Sequence, residues 1–174
     1  MHVIQYVATT ADNAESAHSF VKNYLESLMG NDDSHNTWYD WFVTGGGRWA
    51  SGEDNQYNDE WTGDVVHQSS PKFQEYLNKA KEFRQTSLKE YLEEASRLDL
   101  AKILDNIKVS EGADFHSGML LYSIKKLYDM TMGEWDYNSY YFDIHHDSAN
   151  MIHLQNSLDK GADSWYIVPV DFHF

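Results

Sequence analysis

The chain contains no cysteine and only two prolines among its 174 residues. The absence of cysteine excludes disulfides, thiolate metal ligands and cysteine nucleophiles. Basic residues are also scarce, because 13 Lys and Arg stand against 28 Asp and Glu and give a formal net charge of −15. A surface this acidic repels the phosphates of nucleic acids, so direct binding of nucleic acid is not expected. It favours basic partners instead.

Long apolar runs are missing as well. No stretch approaches the roughly 20 apolar residues of a membrane span, and the first residues lack the basic and apolar regions of a signal peptide. We therefore expect a cytoplasmic protein without a membrane partner. The apolar content of 41% suffices for one domain, residues 1–174, with one core. An aromatic content of 15% is also compatible with a homodimer.

A strand–helix–strand pattern occurs at both ends of the chain. Residues 1–50 predict a strand, a helix capped by Thr10 or Asp12 and ended by Gly30, and an aromatic strand over residues 37–44. Residues 138–174 repeat this order, with a glycine again ending the helix. Two βαβ units in one sheet predict an α+β, ferredoxin-like fold.

Residues 65–133 predict a helical insert between the two halves. Ser70 and Pro71 suit the N-cap and the first position of a helix. Ser87 and Glu90 have the spacing of a capping box, which predicts that a second helix starts there. Apolar residues recur at helical spacing on both sides of that point.

The most specific pattern lies at the end of the second predicted strand, where residues 40–49 are Asp-Trp-Phe-Val-Thr-Gly-Gly-Gly-Arg-Trp. Arg48 is the only Lys or Arg between Lys22 and Lys72, and residues 31–64 hold eight acidic residues. Three consecutive glycines expose backbone N–H groups that can form an anion-binding nest. An adjacent guanidinium grips phosphate or carboxylate with paired hydrogen bonds, and tryptophan stacks on a base or a cation.

This pattern predicts a pocket for a small anionic or nucleotide-derived ligand. The predicted ligand-binding residues are Asp40, Trp41, Gly45, Gly46, Gly47, Arg48 and Trp49. The alternative is a glycine bulge at a strand end, with Arg48 paired to Asp40 or another local acid. We assign no catalytic residue, metal or cofactor to the segment, and the pattern favours a binding protein over an enzyme.

The segment resembles a signature, Asp-aromatic-aromatic-x-x-Gly-Gly-Arg-Trp, of small uncharacterised bacteriophage proteins. The matching residues are Asp40, Trp41, Phe42, Gly46, Gly47, Arg48 and Trp49, with Gly45 as an extra glycine. The resemblance covers residues 40–49 and implies a phage origin, action in the host cytoplasm, and a role in host takeover or anti-defence. It implies no catalytic residues.

Two other function classes stay open. The net charge of −15 suits an inhibitor that binds a basic host protein, including a DNA mimic. The motifs His67-x-Ser69 and His146-x-Ser148 resemble the paired motifs of two-histidine phosphoesterases, in which histidine does acid–base work. The residue between each His and Ser is polar here, where that family has an apolar one.

Two Asp-x-His pairs bear on metal binding. Asp143 with His145, and Asp171 with His173, each place two candidate ligands for Zn²⁺ or Mn²⁺ on one face of a strand. We expect the two pairs to lie at opposite ends of the sheet, so that they do not form one four-ligand site. The acidic residues 53–64 lack the spacing of a calcium loop and predict a solvated loop.

Overall fold

The computed structural model describes residues 1–29, 37–97, 99, 101, 115–161 and 164–174. These residues form four α-helices and the five strands of one mixed sheet, which confirms the α+β class. The elements are β1 (His2–Thr10), α1 (Ala14–Met29), β2 (Trp41–Thr44), β3 (Val66–His67), α2 (Pro71–Ser96), α3 (Phe115–Met132), β4 (Tyr141–Asp143), α4 (Ile152–Lys160) and β5 (Trp165–His173).

The strand order is β2-β5-β1-β4, with β3 also paired to β5. Because β1 and β2 both run antiparallel to β5, they are parallel to each other with β5 between them, which is the split βαβ arrangement. In the second half, β4 runs parallel to β1 and β5 antiparallel to it, so β4 and β5 oppose each other. The ferredoxin-like repeat is therefore not reproduced. Hydrophobic periodicity predicts strands, but it does not specify which strands pair.

Pro169 divides the outer edge of β5 into two parts. On one side of it Val170 pairs with Thr44 of β2, and on the other Ile167 pairs with Val66 of β3. Proline cannot donate a ladder hydrogen bond. The chain leaves the sheet edge after β2, bypasses Pro169 and returns to the edge as β3. Residues 45–65, here called the excursion, carry most of the predicted ligand-binding residues.

Both faces of the sheet are buried. The core on the α1 face consists of Val7, Ala17, Val21, Leu25, Tyr39, Val65, Phe142, Ile144, Val168, Val170 and Phe172. The core on the α2 and α4 face consists of Ile4, Tyr6, Ala8, Val66, Phe73, Tyr76, Leu77, Ala80, Tyr141, Leu154, Trp165 and Ile167. Toward the end of the sheet that holds His2 and His173 this second face is only partly covered, and both histidines keep some exposure.

Two helix starts differ from the prediction. Asn13 caps α1, because its side-chain oxygen accepts the Ser16 N–H at 2.8 Å, and neither Thr10 nor Asp12 does so. The helix α2 runs without interruption through Ser87, so the capping box is wrong there. A capping box needs free N–H groups at a helix start, and inside α2 those groups are already paired with carbonyls four residues earlier.

The strand β2 is shorter than predicted because its partner ends. In the register β5 stops at His173, opposite Trp41, so residues 37–40 have no strand to pair with. Tyr39 is buried instead, and its hydroxyl donates to the Leu25 carbonyl of α1 at 3.0 Å. The first part of the aromatic run therefore packs into the core, and only the later part forms the strand β2.

Other predicted helix boundaries are confirmed. Ser70 caps α2 by accepting the Lys72 N–H at 3.3 Å, and Gly161 ends α4 with a φ of 63°. Gly30, predicted to end α1, lies outside the described residues. Among the helices that the structure describes, none combines the length and the apolar character needed to cross a bilayer.

Candidate functional site

The three glycines of residues 45–49, here called the glycine turn, have positive φ angles of 82°, 105° and 49°. A Cβ at Gly45 would lie 2.1 Å from the Trp61 carbonyl oxygen, and one at Gly47 would lie 2.3 Å from Cβ of Asp171. Only glycine combines this backbone conformation with so close an approach. The turn is therefore built into the fold by its contacts.

The backbone of the glycine turn donates a hydrogen bond to a carboxylate of the protein itself. Oδ2 of Asp171 accepts the Arg48 N–H at 3.1 Å, and Oδ1 lies 2.8 Å from Nδ1 of His2. Asp171 is 1% exposed. The sequence suggests the backbone N–H groups of the turn as donors to a bound anion, but the Arg48 N–H donates to the protein's own carboxylate. A ligand can therefore contact the side chains of the turn.

The Arg48 side chain is exposed. No ion pair or hydrogen bond joins its guanidinium to another residue in the described part of the chain. Asp40 pairs instead with His173, with 2.6 Å between Oδ1 and Nδ1, and this hydrogen bond lowers the pKa of Asp40. The alternative in which Arg48 pairs with Asp40 is therefore wrong.

Trp49 borders a cavity of about 260 Å³ between the glycine turn and α2, here called the groove. Its side chain is 49% exposed. The opposite wall comes from α2, where Lys72, Tyr76 and Lys79 share one face of the helix because they are four and three residues apart. The groove thus combines one of the predicted residues, Trp49, with three residues of α2 and with others that the motif does not contain.

Aromatic rings and cations meet inside the groove. Tyr6 and Tyr76 stack with their ring centroids 4.6 Å apart and an interplanar angle of 25°. The Nζ atoms of Lys72 and Lys79 lie 5.4 and 6.0 Å from the Tyr76 ring centroid, which is within cation–π range. Burial raises the pKa of Tyr6 to about 12, so its hydroxyl is neutral at physiological pH.

Asp64 joins the two walls of the groove. Its side chain is buried and accepts hydrogen bonds from the Ser51 N–H at 2.5 Å, Trp61 Nε1 at 2.9 Å and Lys72 Nζ at 2.5 Å. Burial alone would raise the pKa of Asp64, but these donors outweigh it and lower the pKa to about 2. Asp64 therefore stays ionised and fixes the excursion against α2.

Trp41 lies outside the groove. It borders a separate cavity of about 190 Å³ beside α1, where Lys22 is held by Asp59 at 2.8 Å. Its ring stacks on His173 with the centroids 5.2 Å apart. The structure therefore separates the two tryptophans of the predicted site, and only Trp49 shares a cavity with the α2 lysines.

Comparison with known proteins adds no assignment to this geometry. No family model, curated protein or solved structure matches this chain. The resemblance of residues 40–49 to phage proteins stays a prediction, and the function of the site is argued from its own residues.

The two Asp-x-His pairs lie at opposite ends of the sheet, as expected. Asp143 is level with Ala8 on β1 and Asp171 with Ile4, so four residues of β1 separate them, or roughly 13 Å at the usual rise of a strand. Among the described residues, no group of three His, Asp or Glu side chains is placed to hold a metal ion.

The predicted phosphoesterase histidines are engaged in local contacts. His67 has Nδ1 2.7 Å from Ser69 Oγ and Nε2 3.0 Å from Ser164 Oγ, so both of its ring nitrogens have a partner. Nδ1 of His146 lies 2.8 Å from the buried carboxylate of Asp143. These contacts hold the turns that follow β3 and β4.

Sequence reasoning missed the contribution of α2 to the site. The spacing of Lys72, Tyr76 and Lys79 is visible in the sequence and places two cations and an aromatic ring on one helical face. Nothing in that spacing shows that the face meets Trp49, because the contact depends on the path of the excursion. The contact of His2 with Asp171 was missed for the same reason, because it depends on the pairing of β1 with β5.

Proposed function

We propose that this protein binds a small anionic ligand with an aromatic ring, such as a nucleotide, in the groove. The observation that carries the proposal is the half-exposed Trp49 beside Lys72 and Lys79 at a cavity of about 260 Å³. An exposed indole offers a stacking surface to any base, and lysines attract phosphate. This combination stands out in a chain whose net charge is −15.

The cations around the groove differ in how strongly the protein already uses them. Lys72 is tied to the buried Asp64. Lys79 pairs with Glu75 at 2.7 Å, but both side chains are about half exposed, and an exposed pair of this kind is weak. Arg48 precedes Trp49 in the chain, and its guanidinium has no ion-pair or hydrogen-bond partner among the described residues. Lys79 and Arg48 are therefore the cations proposed to contact the anion.

The size of the groove limits the ligand. Small-molecule pockets usually have volumes of roughly 300–1,000 Å³, and this groove is slightly smaller, at about 260 Å³. It suits a single ring with its phosphate better than a larger dinucleotide. A mononucleotide or a small cyclic nucleotide is the ligand class that we propose.

The biological role that we propose is sequestration of this ligand in the host cytoplasm. A binding protein that holds a nucleotide signal keeps it from its receptor, which would serve a phage during host takeover or against a defence system. The support for this role is the resemblance of residues 40–49 to phage proteins, together with the exposed side chains of the glycine turn.

Calorimetry of the full chain against mono-, di- and cyclic nucleotides tests the proposal. We expect at least one nucleotide to bind, and Trp49→Ala, Lys79→Ala or Arg48→Ala to weaken that binding about tenfold, or 1.4 kcal/mol, each. Lys89→Ala is the matched control, because Lys89 also pairs with a glutamate four residues away on α2 but does not border the groove. Absence of binding, or an equal loss in Lys89→Ala, would contradict the proposal.

A second candidate function is inhibition of a basic host protein, and the ion pairs favour it. Seven cationic side chains are paired with acids within the chain: Lys22, Lys72, Lys79, Lys89, Arg97, Lys125 and Lys126. The acidic residues outside these pairs outnumber the basic ones, so the charge left for a partner is mainly negative. Such a complex should weaken steeply between low and physiological salt. A pull-down from host lysate at low salt that recovers no basic protein would count against it.

A further inference from the structure

Two histidines at one end of the sheet each carry a carboxylate on Nδ1. Nδ1 of His2 lies 2.8 Å from Asp171 Oδ1, and Nδ1 of His173 lies 2.6 Å from Asp40 Oδ1. The side chains of His2 and His173 are 14% and 31% exposed, so solvent reaches both rings. In the described part of the chain no hydrogen bond reaches Nε2 of either ring, which leaves that atom for contacts with another molecule.

The sheet register holds the two rings side by side. His2 on β1 is directly opposite His173 on β5, and the ring centroids are 4.9 Å apart. Trp41 of β2 is opposite His173 in turn, and its ring stacks at 5.2 Å with an interplanar angle of 14°. Asp171 is itself fixed by the Arg48 N–H. Both imidazoles are thus oriented before any ligand arrives.

Among the other described histidines, His146 also has a carboxylate on Nδ1 and the His153 ring stacked beside it at 4.5 Å, whereas His67 and His145 use Nε2 for contacts within the fold. Both nitrogens of His67 are bonded to serine hydroxyls, and Nε2 of His145 accepts the Thr10 N–H at 3.0 Å. A carboxylate on Nδ1 fixes the tautomer of a neutral imidazole and stabilises its protonated form. Two such imidazoles together provide one base and one acid.

We propose that His2 and His173 form an acid–base pair that cleaves a small phosphodiester. Nε2 of the neutral imidazole takes a proton from an attacking water molecule as the water oxygen bonds to phosphorus. The bond from phosphorus to the leaving oxygen breaks, and Nε2–H of the protonated imidazole gives that oxygen its proton.

A small substrate fits this site better than a polymer. With a net charge of −15, the chain repels polyanionic RNA or DNA far more than a substrate with one phosphate. The activity goes beyond ligand binding in the groove and requires neither Trp49 nor Lys79. A small cyclic nucleotide is the substrate class that we infer.

The test measures turnover of 2′,3′-cyclic nucleotides and bis(4-nitrophenyl) phosphate by the full chain. We expect His2→Asn and His173→Asn each to lower kcat/KM by about 10²–10⁴-fold. Asparagine keeps a donor near the Nδ1 position, so the bond to each aspartate is replaced and folding is preserved. His146→Asn is the matched control, because His146 also has a carboxylate on Nδ1. Turnover that survives in the double variant His2→Asn/His173→Asn would overturn the proposal.

Two further readouts separate catalysis from folding and from groove binding. Added inorganic phosphate should shift the Hε1 NMR signals of His2 and His173 in the unaltered protein and leave that of His146 in place. Cleavage that persists in Lys79→Ala, where calorimetric binding is weakened, would show that the two sites act separately. Absence of both phosphate shifts and turnover, or cleavage of an RNA oligonucleotide but no small diester, would overturn the assignment.

A comparison of kcat with KM tests Asp40 as a positioning residue. Oδ1 of Asp40 lies 2.6 Å from Nδ1 of His173 and orients the ring. Asp40→Asn should therefore lower kcat and leave KM close to that of the unaltered protein. An unchanged kcat would show that Asp40 does not act through His173.

Discussion

Gly45→Ala is expected to lower the free energy of unfolding by about 3 kcal/mol or more. The φ of 82° costs an alanine about 1–2 kcal/mol. The new Cβ would lie 2.1 Å from the Trp61 carbonyl oxygen, and forcing an atom into such a contact adds roughly 1–3 kcal/mol. Because small proteins have only about 5–15 kcal/mol of stability in total, chemical denaturation should resolve the loss easily.

Two other glycines separate the backbone conformation from the close approach. Gly161 has a φ of 63° with no atom near its virtual Cβ, so Gly161→Ala should cost about 1–2 kcal/mol. Gly118 lies in α3 with open space around it, and alanine there should stabilise by about 0.5–1 kcal/mol. If Gly45→Ala cost no more than Gly161→Ala, the packing of the turn against Trp61 would be wrong.

The elements with strong periodicity were predictable from the sequence. Phe73, Tyr76, Leu77 and Ala80 recur at helical spacing and are all buried on one side of α2. The largely apolar run at the C-terminal end is confirmed as strand β5, and residues on both of its faces are buried. These predictions succeed because a buried face imposes its period on the local sequence.

The strand partners were not predictable in the same way. In the sheet register, Trp41 and His2 both lie opposite His173, one on each side of β5. This register joins three distant parts of the chain. No local pattern distinguishes that pairing from one with β4. The row of three rings, on which the proposed acid–base pair depends, therefore emerges only from the sheet.

The glycine turn shows the same limit at the candidate site. Positive φ angles follow from the three consecutive glycines, whereas the motif left open whether Arg48 pairs with a local acid. The anion that meets the backbone is Asp171, which is 123 residues away in sequence, and a local motif cannot name it. The motif therefore predicts that the turn donates N–H groups to an anion, but it does not identify Asp171 as that anion.

Asp64→Asn is expected to lower the free energy of unfolding at pH 7 by about 2 kcal/mol or more. The folded pKa of Asp64 is about 2, against an ordinary value of 3.8, and each unit of pKa difference corresponds to about 1.4 kcal/mol. Asparagine would also leave the ammonium of Lys72 without its anion in the wall of the groove. Urea denaturation of both proteins at pH 7 gives the difference directly.

The pH dependence of that difference identifies its source. A carboxyl group whose pKa falls on folding stabilises the protein above its unfolded pKa, and the stabilisation disappears as the pH falls through the folded value. The gap between the unaltered protein and Asp64→Asn should therefore be constant above about pH 5 and shrink between about pH 4 and 2. Asp59→Asn is the control, because Asp59 pairs with Lys22 at the surface and should cost less than about 1 kcal/mol. A gap that did not shrink in acid would mean that Asp64 acts through its shape and not through its charge.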